Sequence, residues 1–263
     1  MRHLIATDLD GTLLNDRQGL DDITIQTFRA LDASGHVIAL ATGRHYIDVQ
    51  GIRELLGINA FIVSANGARI HDTLDQAIYQ KNIPAQLTRE LLQLTLEYDI
   101  MPQVFTPTEW LVDRPTAMLW GHHNSRFQYR LEDLSRFDGE NVEKILLFGK
   151  PEVLAQIEAA IHLKYPNHVA ALAYTDARCL EIMAPGVSKG VALQMLMEKL
   201  EIDAPQVLAF GDNLNDVEML RVAGRPHVME NAHPRLFELF PDAAHIGHND
   251  KAAVAHALKG LLE

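Results

Sequence analysis

Short apolar runs that each end in a polar turn, followed by a stretch of helical periodicity, constrain this chain more than any other feature. Residues 3–7 read as a strand that meets Asp8 at once. Residues 23–33 read as a helix, with Ile23, Phe28 and Leu31 among its apolar positions. Val37–Ala41 is a continuous apolar run, as expected of a strand buried on both faces. Tyr46–Leu56 reads as a helix that Gly57 can cap, and Ala60–Ser64 as a further strand. This βαβαβ rhythm predicts a doubly wound, Rossmann-like α/β core on a parallel sheet. The rhythm returns near the C-terminus: a helix over Lys189–Leu200, a strand over 207–210, a helix over 216–223 ended by Gly224, short strands near 227–229 and 244–246, and a last helix over 251–262.

The middle of the chain breaks the pattern. Helical periodicity covers 87–98 and 152–164. Strand-like pieces lie at 104–105, Trp110–Val112, 145–148, 169–174 and 180–183, and both tryptophans, Trp110 and Trp120, fall here. The expected organisation is an α/β core of residues 1–83 and 186–263 with an α+β cap, residues 84–185, inserted into it. Pro84 and Pro185-Gly186 are the expected hinge points, because proline fixes φ and glycine relaxes it.

Composition narrows the partners. The 263 residues carry a formal charge of −12 and one cysteine, Cys179. Phosphate backbones and anionic lipid reward clustered Lys and Arg, so neither nucleic acid nor a membrane surface is expected as a partner. A single cysteine excludes an intrachain disulfide and fits a reducing compartment. No run approaches the roughly 18 apolar residues of a membrane span, and the apolar N-terminal stretch is too short for a signal-peptide core, so a cytoplasmic protein is expected. Thirteen histidines offer no pair with convincing metal-ligand spacing, His122-His123 included. The oligomeric state is not legible in the sequence.

Four motifs carry chemistry, and each follows a predicted strand or opens a helix. Asp8-Leu9-Asp10-Gly11-Thr12 places carboxylates at the carboxyl end of the first strand, where open α/β sheets bind ligands. Such hard oxygens suit Mg²⁺, and Gly11 permits a turn that aims backbone N–H groups at an anion. Thr42-Gly43-Arg44 offers a hydroxyl and amides at a helix N-terminus. Ser188-Lys189-Gly190 brings a cation where the chain re-enters the core. Gly211-Asp212-Asn213-Leu214-Asn215-Asp216 supplies a further metal carboxylate, with Asn215 and Asp216 placed to orient Lys189 or a phosphate. Taken singly, each motif has an ordinary reading, as an acidic turn, a helix cap or a solvated lysine. Converging on one sheet edge, they form the set that phosphoryl transfer requires: positioning plus neutralisation of charge.

In this order and context the motifs resemble those of the haloacid dehalogenase superfamily, in its Cof-like branch with a large cap between the second and third motifs. Ser64-Ala65-Asn66-Gly67-Ala68 and the run from Leu180 to Gly190 extend the resemblance, which covers essentially the whole chain. It implies a Mg²⁺-dependent phosphatase of small phosphorylated metabolites. Asp8 would be the nucleophile that forms an aspartyl-phosphate, and Asp10 the acid and then the base. The Asp8 carboxylate, the Asp10 carbonyl and Asp212 would hold the metal. Leu9, Thr42, Gly43, Lys189 and Asn215 would hold the phosphate, with Asp216 in support. Stretches 41–45 and 64–72 are similar to enzymes acting on sugar phosphates and pyridoxal phosphate, and another near relative hydrolyses a pyrimidine pyrophosphate of thiamin synthesis.

The expected selectors of the leaving group are Trp110, Arg178 and Glu181 from the cap and Arg44, His45 and Arg69 from the core. Trp110 is able to stack on an aromatic ring but also to fill a small core, and Glu181 to reach sugar hydroxyls or to pair with Arg178. Two other readings remain open: a phosphotransferase or mutase of the same superfamily, and a non-enzymatic phospho-acceptor switch. The length and the inserted cap weigh against the switch.

Overall fold

The computed structural model describes residues 2–115, 127–165, 171–176 (backbone only) and 178–262. The expected Trp120 and His122-His123 lie outside the described residues, as does the start of the strand expected at 169–174. The chain divides into two compact units. The first comprises Met1–Arg44, Val49–Tyr79 and Ser188–Glu263, and the second His45–Asp48 with Gln80–Val187.

The first unit is built on an eight-stranded sheet ordered β14-β13-β12-β1-β2-β3-β4-β5. Strands β1 (Leu4–Thr7), β2 (Val37–Ala41), β3 (Ala60–Ser64), β12 (Val207–Gly211), β13 (Arg225–Met229) and β14 (Ala244–Ile246) run parallel. The chain leaves β1 toward β2 on one side, while β12 pairs on the other, in register from Leu4↔Val207 to Thr7↔Phe210. The topological switch therefore falls at β1, where such sheets bind ligands. Leu4, Ile5 and Ala6 are wholly buried, which explains their unbroken apolar run.

Two strands of this sheet were not anticipated, nor was Tyr129–Leu131 in the second unit. β4 (Arg69–His71) turns back antiparallel on β3, and β5 (Ala77–Gln80) follows it at the edge. The core sheet is thus mixed rather than wholly parallel. These pieces are too short and too polar to show a period, and pairing rather than propensity makes them strands. Helices α1 (Asp22–Ala33), α2 (Tyr46–Leu56), α5 (Lys189–Leu200) and α6 (Val217–Val222) follow the expected positions. A short helix α7 (Pro234–Leu239) was not anticipated, and the last helix is shorter than expected, α8 (Ala253–Leu258).

The second unit carries a six-stranded sheet ordered β10-β11-β9-β6-β7-β8, with helices α3 (Ala85–Leu96) and α4 (Pro151–Lys164). Its strands are β6 (Pro102–Phe105), β7 (Trp110–Val112), β8 (Tyr129–Leu131), β9 (Lys144–Phe148), β10 (Ala171–Asp176) and β11 (Cys179–Met183). All pairings are antiparallel except β7 with β8. One face alternates through Val104, Leu111, Ile145, Leu147, Leu180 and Ile182. The opposite face carries Gln103, Phe105, Trp110, Lys144, Leu146 and Glu181.

Candidate active site

The site begins where β1 ends. The Asp8 N–H still donates to the Phe210 carbonyl (3.0 Å), so Asp8 continues the sheet pairing. Next the backbone makes a wide turn over Leu9–Leu13, closed by Leu14 N–H to Leu9 O (2.8 Å). Gly11 takes φ +77°, and a Cβ there would come within 2.5 Å of an Asp212 carboxylate oxygen. Glycine is needed here for both reasons.

Lys189 opens α5 wholly buried, and its Nζ donates to Asp8 Oδ1 (2.6 Å) and to Asp216 Oδ1 (2.7 Å). Both carboxylates hold the ammonium charged, and its pKa stays above the ordinary lysine value despite burial. Asp216 spends its other oxygen on the N–H groups of Asp212 and Asn213 (both 3.1 Å). It thereby pins the loop after β12, and Asn213 closes a capping box with it. Thr12 Oγ1 donates to Asp212 Oδ1 (2.7 Å).

Asp8, Asp212 and Asp216 each present an oxygen within 4.8 Å of the others. Burial, more than the neighbouring carboxylates, pushes Asp8 above its ordinary range and Asp212 up to about 7. Two buried carboxylates, Asp8 and Asp216, share one ammonium and half-buried Asp212 stands beside them, so the three carboxylates outnumber the cation. A divalent cation fits that donor set of hard oxygens. Asp216 is the weakest candidate ligand of the three, since both its oxygens already accept hydrogen bonds.

Asp10 is differently placed. Arg44 grips both its oxygens, Nε to Oδ2 at 2.7 Å and Nη2 to Oδ1 at 2.5 Å, and also donates to Gln18. Arg44, expected among the selectors of the leaving group, is here a partner of Asp10. Thr42 Oγ1 accepts the Arg44 N–H (3.1 Å), which leaves its hydroxyl hydrogen to donate. Asn215 Nδ2 donates to Asn66 Oδ1 (3.1 Å).

The remaining expected selectors fall in varied settings. Arg69 is buried on β4, with Nη1 donating to Ala68 O (2.9 Å). His45, expected with the core, groups with the second unit. Its Nδ1 accepts the Ile47 N–H (3.2 Å), so its Nε2 is the donor to Thr106 O (2.9 Å), and its ring stacks on Phe127 at 4.0 Å. Trp110 is buried among Phe105, Phe127 and Tyr129. Glu181, expected to reach sugar hydroxyls or Arg178, pairs with buried Lys144 at 2.6 Å. Arg178 lies over the Phe148 ring, 4.6 Å from its centroid. Cys179 is a buried free thiol.

Several supporting residues carried no assigned role in the sequence. Thr12 and Asn66 lie inside quoted motifs, and that position is the only signal they give. Asn231, whose Nδ2 donates to the Gly11 carbonyl (2.7 Å), gives none.

A family model of haloacid dehalogenase-like hydrolases matches residues 5–258. The chain is a haloacid dehalogenase-like hydrolase. It is 34% identical over 264 residues to an HMP-PP phosphatase of Serratia proteamaculans, covering 100% of this chain and 96% of that protein. An HMP-PP phosphatase of Cronobacter sakazakii is 33% identical, with 100% and 97% covered. Among solved structures, a haloacid dehalogenase-like hydrolase of B. subtilis superposes with a TM-score of 0.84 at 27% identity, over 98% of this chain and 99% of that one. A hydrolase of the same description from Bacteroides thetaiotaomicron, at 21% identity, shares the fold with a TM-score of 0.84 over 99% and 100%. With phosphatase-named relatives matching along its whole length, this hydrolase is a phosphatase acting on phosphoric monoesters. No described helix is long and apolar enough to cross a membrane.

Proposed function

We propose that the chain is a Mg²⁺-dependent phosphatase of small phosphorylated metabolites that works through phosphorylation of Asp8. The observation that carries this reading is the ammonium of Lys189 held between Asp8 and Asp216 beside Asp212, with three carboxylates to one cation. Lys189 fixes Asp8 Oδ1. Asp8 Oδ2 then attacks phosphorus as the bond to the leaving oxygen breaks. Asp10 gives its proton to that oxygen, then takes one from the water that cleaves the Asp8–phosphorus bond. Delivery of that proton requires the Arg44 fork to release at least one Asp10 oxygen. The Asp8 and Asp212 carboxylates and the Asp10 carbonyl would hold Mg²⁺, which supplies charge neutralisation at the phosphoryl oxygens. Thr42, Lys189, Asn215 and the amides of Leu9, Asp10 and Gly43 would hold the phosphate.

For the substrate, sugar phosphates and pyridoxal phosphate are the first reading. A pyrimidine pyrophosphate of thiamin synthesis is the second, favoured by the names of relatives aligned over nearly their whole length. The expected setting is the cytoplasm, with residues 84–185 as the cap that selects the substrate. A phosphate-release screen across these compounds decides. A preference of about a hundredfold in kcat/KM, about 2.7 kcal/mol, marks a dedicated enzyme. A flat profile marks a generalist, and no release from any phosphate ester overturns the reading.

A further inference from the structure

Asn66 sits in a backbone that strains to place it. Ala65 (φ +47°), Asn66 (φ +54°) and Gly67 (φ +101°) are consecutive left-handed residues directly after β3. A non-glycine residue in that region costs on the order of 1–3 kcal/mol, and such strain persists only where the surroundings impose it. The surroundings here are three of the four motifs. The Ala65 N–H donates to the Arg44 carbonyl and the Asn66 N–H to the Thr42 carbonyl, both at 2.9 Å. Gly67 lies against the Ser188 carbonyl so closely that any Cβ would collide with it. The Asn66 side chain reaches the third of these motifs: its Oδ1 accepts from Asn215 Nδ2 (3.1 Å).

We propose that Asn66 is a positioning residue for phosphate binding, acting through Asn215. A carboxamide nitrogen has two hydrogens, and its terminal torsion is soft and roughly two-fold. When Asn66 takes one hydrogen, the direction of the other is set, and that hydrogen is the one Asn215 offers to a phosphate oxygen. Asparagine suits the position twice over. It tolerates left-handed φ better than other non-glycine residues, and its side chain supplies the acceptor. The loop 64–67 thus holds Thr42, Lys189 and Asn215 in one frame. The inference rests on the phosphatase reading, in which Asn215 contacts phosphate.

The test is Asn66→Gly, which suits the left-handed backbone and removes the side chain that carries the acceptor. With saturating Mg²⁺ and p-nitrophenyl phosphate, KM and the inhibition constant of inorganic phosphate should each rise about fivefold to tenfold, with kcat changed less than about twofold. In a cycle with Asn215→Ala, the double variant should bind phosphate no more weakly than Asn215→Ala alone. Should Asn66→Gly lose its cooperative melt, the cycle with Asn66→Ala must show the same non-additivity. Wild-type KM and phosphate inhibition in a variant lacking the acceptor, or additive losses in the cycle, overturn the positioning role. Asp8→Asn, assayed in parallel, separates the two ideas: turnover surviving in Asp8→Asn overturns the phosphatase mechanism, whereas an inactive Asp8→Asn beside an unaffected Asn66→Gly overturns only the role of Asn66.

Discussion

Both units of the molecule bury charge, but they balance it differently. In the second unit, Lys144 pairs with Glu181 at 2.6 Å and lies 4.7 Å from the centroid of the Phe105 ring, while buried Glu143 lies 3.4 Å from His45 Nε2. The Lys144 pKa is raised, because Glu181 outweighs the effect of burial. In the core, one lysine serves Asp8 and Asp216 while Asp212 stands beside them, and burial drives Asp8 and Asp212 upward. Glu181 and Glu143 each have a basic partner from the second unit itself. An unbalanced cluster is completed from outside, which is what a metal and a phosphate site requires. Burial of charge alone therefore does not single out the proposed active site; the excess of carboxylates over cations does.

The strongest way to break this contrast is to remove the proposed nucleophile. Asp8→Asn should lower kcat by about 10⁴-fold or more, about 5.5 kcal/mol, while the far-UV spectrum and melt stay native. Wild-type clearance of p-nitrophenyl phosphate by this variant would end the mechanism. Exhaustive chelation should come next, silencing turnover by about a thousandfold until Mg²⁺ is returned. Mg²⁺ should also raise the melting temperature of the wild-type protein if the folded cluster, and not the unfolded chain, is what holds it. Activity that persists after EDTA and gel filtration would remove the metal from the reading.

The insertion should respond in the opposite sense. Lys144→Met removes the cation that buried Glu181 is paired with, and should cost about 3–5 kcal/mol in denaturant unfolding. Lys144→Met with Glu181→Leu should recover most of that loss, because an apolar pair replaces a balanced one. A double variant as unstable as the single would show that the pair is not self-contained. The smallest effect should come from Thr12→Val, which removes the hydrogen bond on Asp212 Oδ1. The half-saturating Mg²⁺ concentration should rise about fivefold, near 1 kcal/mol, with kcat at saturating Mg²⁺ little changed. An unchanged Mg²⁺ response would separate Thr12 from the metal site.

Much of the core was legible because its signals are local. Val37–Ala41, Tyr46–Leu56, Ala60–Ser64, Lys189–Leu200 and Ala244–Ile246 fall where apolar runs and periodicity put them. The hairpin strand Arg69–His71 and the edge strand Ala77–Gln80 escaped, because they are strands only through their neighbours. In the insertion, Glu181 and Arg178 are near in sequence, yet Glu181 faces Lys144. The register of β11 on β9, with Met183 opposite Lys144 and Glu181 opposite Leu146, sets that partnership.

The amino-acid order is enough to place Asp8, Thr42, Lys189 and Asp212 at the ends of strands or the starts of helices. Strand, turn and cap chemistry act over a few residues, so their marks survive in one dimension. Partnership is another matter. Lys189 meets Asp8 across 181 positions and Asp216 across 27, Thr12 meets Asp212 across 200, and Asn66 meets Asn215 across 149. No local rule spans such separations. They are decided when β1, β2, β3 and β12 align as one sheet, which brings their carboxyl ends together and leaves each polar group to find its partner there.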